Sequence, residues 1–258
     1  MKKLLIALAA SALFAFTASA QELDMVDIPG KDFKMLKTEV TQELYEEVMG
    51  VNPSRFQNGN KEYEKEFKKP YEVTKGEDVK KLPVESVSWY DAIYFCNKLS
   101  EKKGLTPVYA VDGETDVAKW NYTPNKWKGL EGEVTQNTSA SGFRLPTVEE
   151  WQYAARGGDD YKYSGSDNLD EVGWYMVNSN DMTHEVAKKK PNGYGLYDMS
   201  GNVEEWCWDY YYYSDYYRYN CGGCCCGSDG RCEVGRRDYS TDWDLFYGLG
   251  FRIVRNAE

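Results

Sequence analysis

The chain has 258 residues, of which 41% are hydrophobic and 15% aromatic, and it carries a formal charge of −11. That is enough apolar material for one large packed domain or two small ones. The acidic balance argues against nucleic acid as a partner, since phosphates call for clustered Lys and Arg.

The first twenty residues read as a secretory signal peptide. Lys2 and Lys3 precede an apolar run from Leu4 to Phe16, and Ala18-Ser19-Ala20 supplies the small residues of a cleavage site. The run is too short for a stable span, and no later segment approaches the ~20 apolar residues a transmembrane helix needs. The expectation is an exported chain, periplasmic, cell-surface or extracellular, cleaved after Ala20. Residues 21–258 would form a single domain without a transmembrane segment. The first cysteine is Cys96, so the cleavage site offers no lipid anchor.

Three helix starts are legible. Thr41 precedes QELYEEVMG, where Leu44, Val48 and Met49 share one face. Ser88 opens SWYDAIYFCNKLSEKKG, with Asp91 three residues on, an apolar stripe of Ala92, Phe95, Cys96 and Leu99, and Gly104 as the stop. Thr147 and Glu150 form a capping box ahead of an eventual stop at Gly157-Gly158. Residues 67–81 and 112–139 are polar and read as solvated loops. Elsewhere Gly, Asn and Asp punctuate short segments such as PNGYGLYDMSGN, the pattern of tight turns between short strands. Helices set in turn-rich, strand-like sequence predict an α+β fold.

Seven cysteines are an odd number, so a monomer cannot pair them all. Cys96 stands apart. Cys207, Cys221, Cys224, Cys225, Cys226 and Cys232 crowd into one stretch, and three in a row make a poor disulfide framework.

Five phrases occur in order: TEVTQELYEEVMGVNPSRF, LPVESVSWYDAIYFCNKLSEKKGLTPVY, SGFRLPTVEEWQYAARGG, PNGYGLYDMSGNVEEW and GLGFRIV. Together they resemble the formylglycine-generating, sulfatase-modifying family over nearly the whole mature chain. The resemblance implies a C-type-lectin-like fold, with a few helices around short twisted antiparallel sheets. It also implies a calcium site at Asp198, Gly201, Val203 and Glu205, two carboxylates and two carbonyls suiting a hard cation. Asn202 and Glu205 read equally well as buried polar staples of the fold.

The family's oxidases hold copper between two cysteine thiolates, a soft pair suited to Cu(I). Counting from Gly222-Gly223, the second thiolate falls on Cys232 but the first falls on Gly227, with Cys226 one residue early. A sister branch binds iron through three histidines, whereas this chain has only His184, read as an ordinary surface residue. No catalytic residues are therefore assigned and no cofactor is required. The copper-dependent oxidase stays as the alternative, and a metal-binding cysteine cluster as a second.

The segment from about 207 to 251 carries the other signal. Seven of the ten residues Tyr210–Tyr219 are tyrosine, and Lys, Gln and Met are absent between Cys207 and Val254. Tyr with Ser, Gly, Asp and Asn is the composition of antibody paratopes, large amphipathic contacts among small adaptable ones. These residues also share codons reachable by randomising the adenines of an Asn-type codon. That resembles the treponemal type of variable protein, which diversity-generating retroelements mutagenise. The candidate ligand-binding residues are Tyr210, Tyr211, Tyr212, Tyr213, Asp215, Tyr216, Tyr217 and Tyr219. They continue through Cys221, Cys224, Cys225, Cys226, Gly227, Ser228, Asp229 and Gly230 to Asp238, Tyr239, Ser240, Asp242, Asp244, Phe246 and Tyr247. All are expected on one exposed face, for a protein or glycan on another cell or host surface. Trp206, Trp208, Gly222, Gly223, Trp243, Leu249, Gly250, Phe251 and Arg252 would be the fixed scaffold.

Overall fold

A computed structural model of the chain describes residues 23–257 except Tyr213, so the signal-peptide segment lies outside the described residues. The chain opens with β1 (Met25–Asp27) and β2 (Phe33–Leu36), an antiparallel pair. Helix α1 (Gln42–Met49) follows, its Leu44 N–H capped by the Thr41 side chain, with Leu44, Tyr45 and Val48 buried. Next come α2 (Lys61–Phe67) and α3 (Trp89–Lys102). Helix α3 begins with the reciprocal box of Ser88 and Asp91, and its stripe of Ala92, Phe95, Cys96 and Leu99 is buried as the periodicity predicts. Strands β3 (Tyr109–Val111) and β4 (Val134–Gln136) form a two-stranded ribbon. Helix α4 (Val148–Arg156) has the predicted capping box of Thr147 and Glu150 and ends at Gly157, whose positive φ suits glycine. A single turn, α5 (Leu169–Val172), precedes the C-terminal strands.

Those strands are β5 (Glu204–Tyr210), β6 (Tyr217–Cys221), β7 (Arg237–Thr241) and β8 (Leu249–Gly250). They form one sheet in the order β7-β6-β5-β8, with β5 and β8 parallel and the other pairs antiparallel. The last strand, β9 (Val254–Asn256), returns to pair with β2, so the two ends of the described chain share a sheet. No helix among the described residues is long and apolar enough to cross a membrane.

The largest core cluster joins α1 and α3 to Trp206, Leu249, Phe251 and Ile253. Aromatic donors tie its elements together: Trp206 Nε1 donates to the Val87 carbonyl at 2.9 Å, and Trp89 Nε1 to that of Cys207 at 3.0 Å. A second cluster packs α4, through Trp151, against Cys207, Tyr219 and Cys221.

The polar segments 67–81 and 112–139 are not merely solvated loops. Tyr71 is buried against Phe56 and Tyr63. Trp120 is buried too, its indole N–H donating to the Glu114 carbonyl at 2.8 Å. Sparse aromatic anchors pin these stretches, and an averaged polarity hides them.

Burial also sets a pH dependence. Desolvation pushes the Glu85 and Glu204 carboxyls up to about 7, and those of Asp198 and Asp242 up to about 6. A carboxyl whose folded value is raised contributes stability below its unfolded value and loses that contribution as pH climbs through the folded one. Glu150 runs the other way: burial raises it, but the Arg144 pair at 2.7 Å more than reverses that, so its contribution is lost on acidification. The expected result is a melting temperature that peaks near pH ~5 and falls steadily toward pH ~8. A profile flat or rising over that interval would contradict the assignment.

Candidate binding surface

The tyrosine-rich stretch is the β5–β6 hairpin with its tip, facing edge strand β7. Strand side chains alternate between faces, and cross-strand partners share one. Tyr219 lies opposite Tyr239, and Arg218 lies between Ser240 on one side and Tyr210 on the other. The tyrosines are therefore divided between two faces of the sheet, contrary to the expected single face.

On one face Tyr211 stacks on Tyr239 with centroids 4.0 Å apart, and Tyr217 and Tyr219 meet these rings edge-on. Arg237 sits 4.6 Å over Tyr219. On the other face the buried Arg218 guanidinium lies 3.3 Å from the Tyr210 centroid and 3.6 Å from that of Trp89, and donates to the Trp208 carbonyl at 2.7 Å. Desolvation lowers Arg218 to about 10. Aromatic faces enclose this cation, and the Asp242 carboxylate lies near enough to favour its charge.

The candidate residues sort by exposure. Tyr212 and Tyr216 are 76% and 62% exposed, and Tyr210 and Tyr239 are about half exposed. Asp215, Ser228, Asp229 and Gly230 are also exposed. Tyr211, Tyr217, Cys226, Asp238, Ser240, Asp244, Phe246 and Tyr247 are half-buried. Tyr213 lies outside the described residues.

Six candidates are buried and offer a ligand no surface. Tyr219 packs under the hairpin tip, Cys221 pairs with Cys207 beneath β6, and Asp242 accepts the Tyr90 hydroxyl at 2.7 Å. Cys225 belongs to a cluster with Phe56, Tyr63, Tyr71 and Leu82, while Cys224 and Gly227 form the inside of the turn. That turn is held by three backbone links. The Cys225 N–H donates to the Asn202 carbonyl at 2.8 Å, Ser179 Oγ to the Cys225 carbonyl at 2.6 Å, and the Met176 N–H to the Gly227 carbonyl at 3.1 Å. A cysteine is a small hydrophobe when its backbone is tied inward, so composition alone misjudged these positions.

Cys232, at the second copper position, and Cys226, one residue short of the first, take different partners. Cys232 packs with Tyr163, Leu169 and Val172, whereas Cys226 hydrogen-bonds Cys224 and Tyr247. Among the described residues, no group of three or more His, Cys, Asp or Glu side chains is arranged to hold a metal. His184 is buried rather than superficial: it stacks on Trp174 at 3.9 Å and meets Glu77 Oε1 at 2.9 Å. A lone polar residue gave no sign of either neighbour.

The positions implied for calcium are built differently as well. Both Glu205 oxygens accept from Arg252, at 2.6 and 2.7 Å, and one also accepts from Trp151 Nε1. The Asp198 carboxyl accepts the Ala187 N–H with one oxygen and leaves the other unpaired. Arg252 already supplies the cationic charge at Glu205, so the residues as arranged do not fit a calcium ion.

One wall of the surface escaped the sequence reading. A cleft of about 740 Å³ opens beside Asp244, Phe246 and Tyr247, and its far side carries Arg55, Tyr63 and Trp127. Trp127 is 69% exposed. A tryptophan within a polar stretch was the signal that could have found this wall.

Residues 10–257 match the family described as the Sulfatase-modifying factor enzyme 1-like domain. The fold is similar to that of Treponema denticola variable protein 1, with a TM-score of 0.77, 40% identity, and 87% of this chain and 84% of that one covered. A chaperone protein, LppX of Paenibacillus barcinonensis, is 40% identical over 219 residues, 76% of this chain and 69% of its own. The formylglycine-generating enzyme of Streptomyces coelicolor is 35% identical over 101 residues, about a third of each chain. The variable protein shares the α+β, C-type-lectin-like architecture described above. The chain belongs to the sulfatase-modifying factor enzyme 1-like family.

Proposed function

We propose that the chain is an exported recognition protein, a non-catalytic member of its family whose binding surface is the β5–β6 hairpin tip with β7 and the neighbouring cleft. The observation that carries this reading is the set of large amphipathic rings left in solvent: Tyr212 and Tyr216, with Tyr210 and Tyr239 beside them. Rings of this kind are enriched at binding hot spots and bring large contact area at low entropic cost. The likeness to a variable protein supports the reading. So do Gly227 at the first copper position and the different partners of Cys226 and Cys232, which leave the copper-dependent oxidase without its thiolate pair. The ligand is a protein or glycan on another cell or host surface, and a diversity-generating retroelement would account for the composition of 207–251.

Glycan and protein arrays test the proposal. Wild-type protein should mark a restricted set of spots, and the Tyr212→Ser/Tyr216→Ser/Tyr239→Ser variant should lose that signal, by roughly tenfold in affinity per tyrosine. Equal signal from the variant would sink the assignment. Conversion of cysteine to formylglycine in a sulfatase-type peptide supplied with copper would restore the enzyme reading. A reverse transcriptase gene in the adjoining DNA, with a near-copy of the last ~150 bases differing at adenines, is what retroelement diversification requires.

A further inference from the structure

We propose that Cys224 and Cys226 form a redox-active dithiol, closing to a disulfide within the loop by exchange with a small disulfide of the glutathione type. The inference is independent of what the tyrosine surface binds. All seven cysteines are free thiols in the structure, and the sulfurs of Cys224 and Cys226 lie 3.2 Å apart. The intervening Cys225 is fully buried among Phe56, Tyr71 and Leu82, and its thiol reaches Cys226 only from that interior side. Its backbone is tied at both ends, the N–H to Asn202 and the carbonyl to Ser179. The Gly227 N–H closes the same turn by donating to the Cys224 carbonyl at 2.9 Å. The loop is thus fixed with the outer two sulfurs already facing each other, and closure demands little backbone movement.

The two thiols are unequal, which gives exchange a direction. Cys226 is partly exposed while Cys224 is buried. The Cys226 sulfur receives hydrogen bonds from Cys224, then Cys225, and also from the Tyr247 hydroxyl; these outweigh its partial burial and hold its thiol at about 3. Cys224 is pushed in the opposite direction by its bond to Cys226 and by burial. Cys226 is therefore the attacking thiolate and Cys224 the resolving thiol. The Cys226 thiolate attacks one sulfur of oxidised glutathione, its S–S bond breaks, and one glutathione leaves as thiolate while a mixed disulfide forms. That thiolate takes up the Cys224 proton. Cys224 then attacks the Cys226 sulfur, and the second glutathione departs and is protonated by water. Two electrons pass from the dithiol to one glutathione disulfide, which becomes two thiols.

Cys207 and Cys221 provide an internal control. Their sulfurs are 3.9 Å apart, but both residues are buried under the sheet, closed to a small disulfide.

The experiment equilibrates the full-length reduced protein with glutathione buffers of increasing oxidised fraction, quenches in acid, alkylates, and maps peptides by mass spectrometry. The expected product lacks two hydrogens across a Cys224–Cys226 link, with Cys207 and Cys221 still alkylated. Cys224→Ser should stop at Cys226 carrying one glutathione, and Cys225→Ser should still form the link. Melting temperatures of both variants establish that they are folded. A link from Cys226 to Cys225 or Cys232, or a Cys226 that stays alkylatable in the most oxidising buffer, overturns the proposal.

Discussion

Replacing Arg252 by Met should destabilise the protein by about 3–5 kcal/mol, the cost of leaving a buried charge without its partner. Arg252 is completely buried, and its guanidinium reaches Glu205 with two hydrogen bonds while also donating to the Tyr197 carbonyl at 2.9 Å. Two further buried carboxyls, Glu39 and Asp198, lie in the same charged group. Burial pushes both upward, Asp198 to about 6, and Arg252 opposes the rise in each. Without it, three carboxyls share a dry interior with only the Trp151 indole, the Asn202 amide and backbone N–H groups as donors. Chemical denaturation of the single variant and of Arg252→Met/Glu205→Leu measures the coupling. The double variant should recover most of the loss, because it removes the unpaired charge along with its partner. A single variant costing less than ~1 kcal/mol would show that water or another group reaches Glu205, and the account of this cluster would fail.

This cluster illustrates what was legible in the sequence. In the sequence Arg252 reads as scaffold, and Glu205 reads as calcium ligand or buried staple. The structure favours the staple, because Glu205 on β5 meets Arg252, two residues beyond β8, from 47 positions away in sequence. No local pattern encodes such a pairing. Local signals, by contrast, were read well: Thr41, Ser88 and Thr147 cap the three longest helices, since capping depends on residues only three positions apart. Helix α2 was missed, as KEYEKEF offers a single buried side chain, Tyr63, to mark its inner face.

At the candidate surface, composition located the segment but not its sidedness. Tyr217 and Tyr219 are both tyrosine on one strand, yet the first is half-buried and the second buried beneath the tip. The difference comes from the hairpin's end, where Tyr211 and Tyr212 fold back toward Tyr219. The register shift between Trp206 and Tyr210 adds a further turn of the strand that alternation alone does not foresee. The cysteines were misplaced because a sequence of Gly-Gly-Cys-Cys-Cys does not say which way its peptide groups point. Asn202, Ser179 and Met176, all distant in sequence, decide that.

Scaffold and surface should separate sharply under mutation. Trp206→Ala should cost about 3–5 kcal/mol, since truncating a large buried ring removes apolar burial and leaves a cavity. Trp206 has no exposed surface and packs in the cluster that includes Trp89, Phe95 and Phe251. Its loss would also leave the Val87 carbonyl without the indole N–H it accepts. Phe251→Ala should fall in the same range, as its ring meets Phe95 at 5.2 Å and Tyr45 at 6.4 Å in the same interior. The paired change Tyr212→Ser/Tyr216→Asp should shift stability by no more than about 0.5 kcal/mol per site, the usual range for exposed positions. Among the described residues, the Tyr212 ring meets Tyr219 edge-on with Arg237 at a distance, and the Tyr216 ring has a tilted contact with Trp243. Urea denaturation of the three variants, compared by midpoint at constant slope, gives the ranking. A surface pair that unfolds as readily as Trp206→Ala would make the exposed tyrosines part of the fold's support, and a protein so built could not vary them freely for recognition.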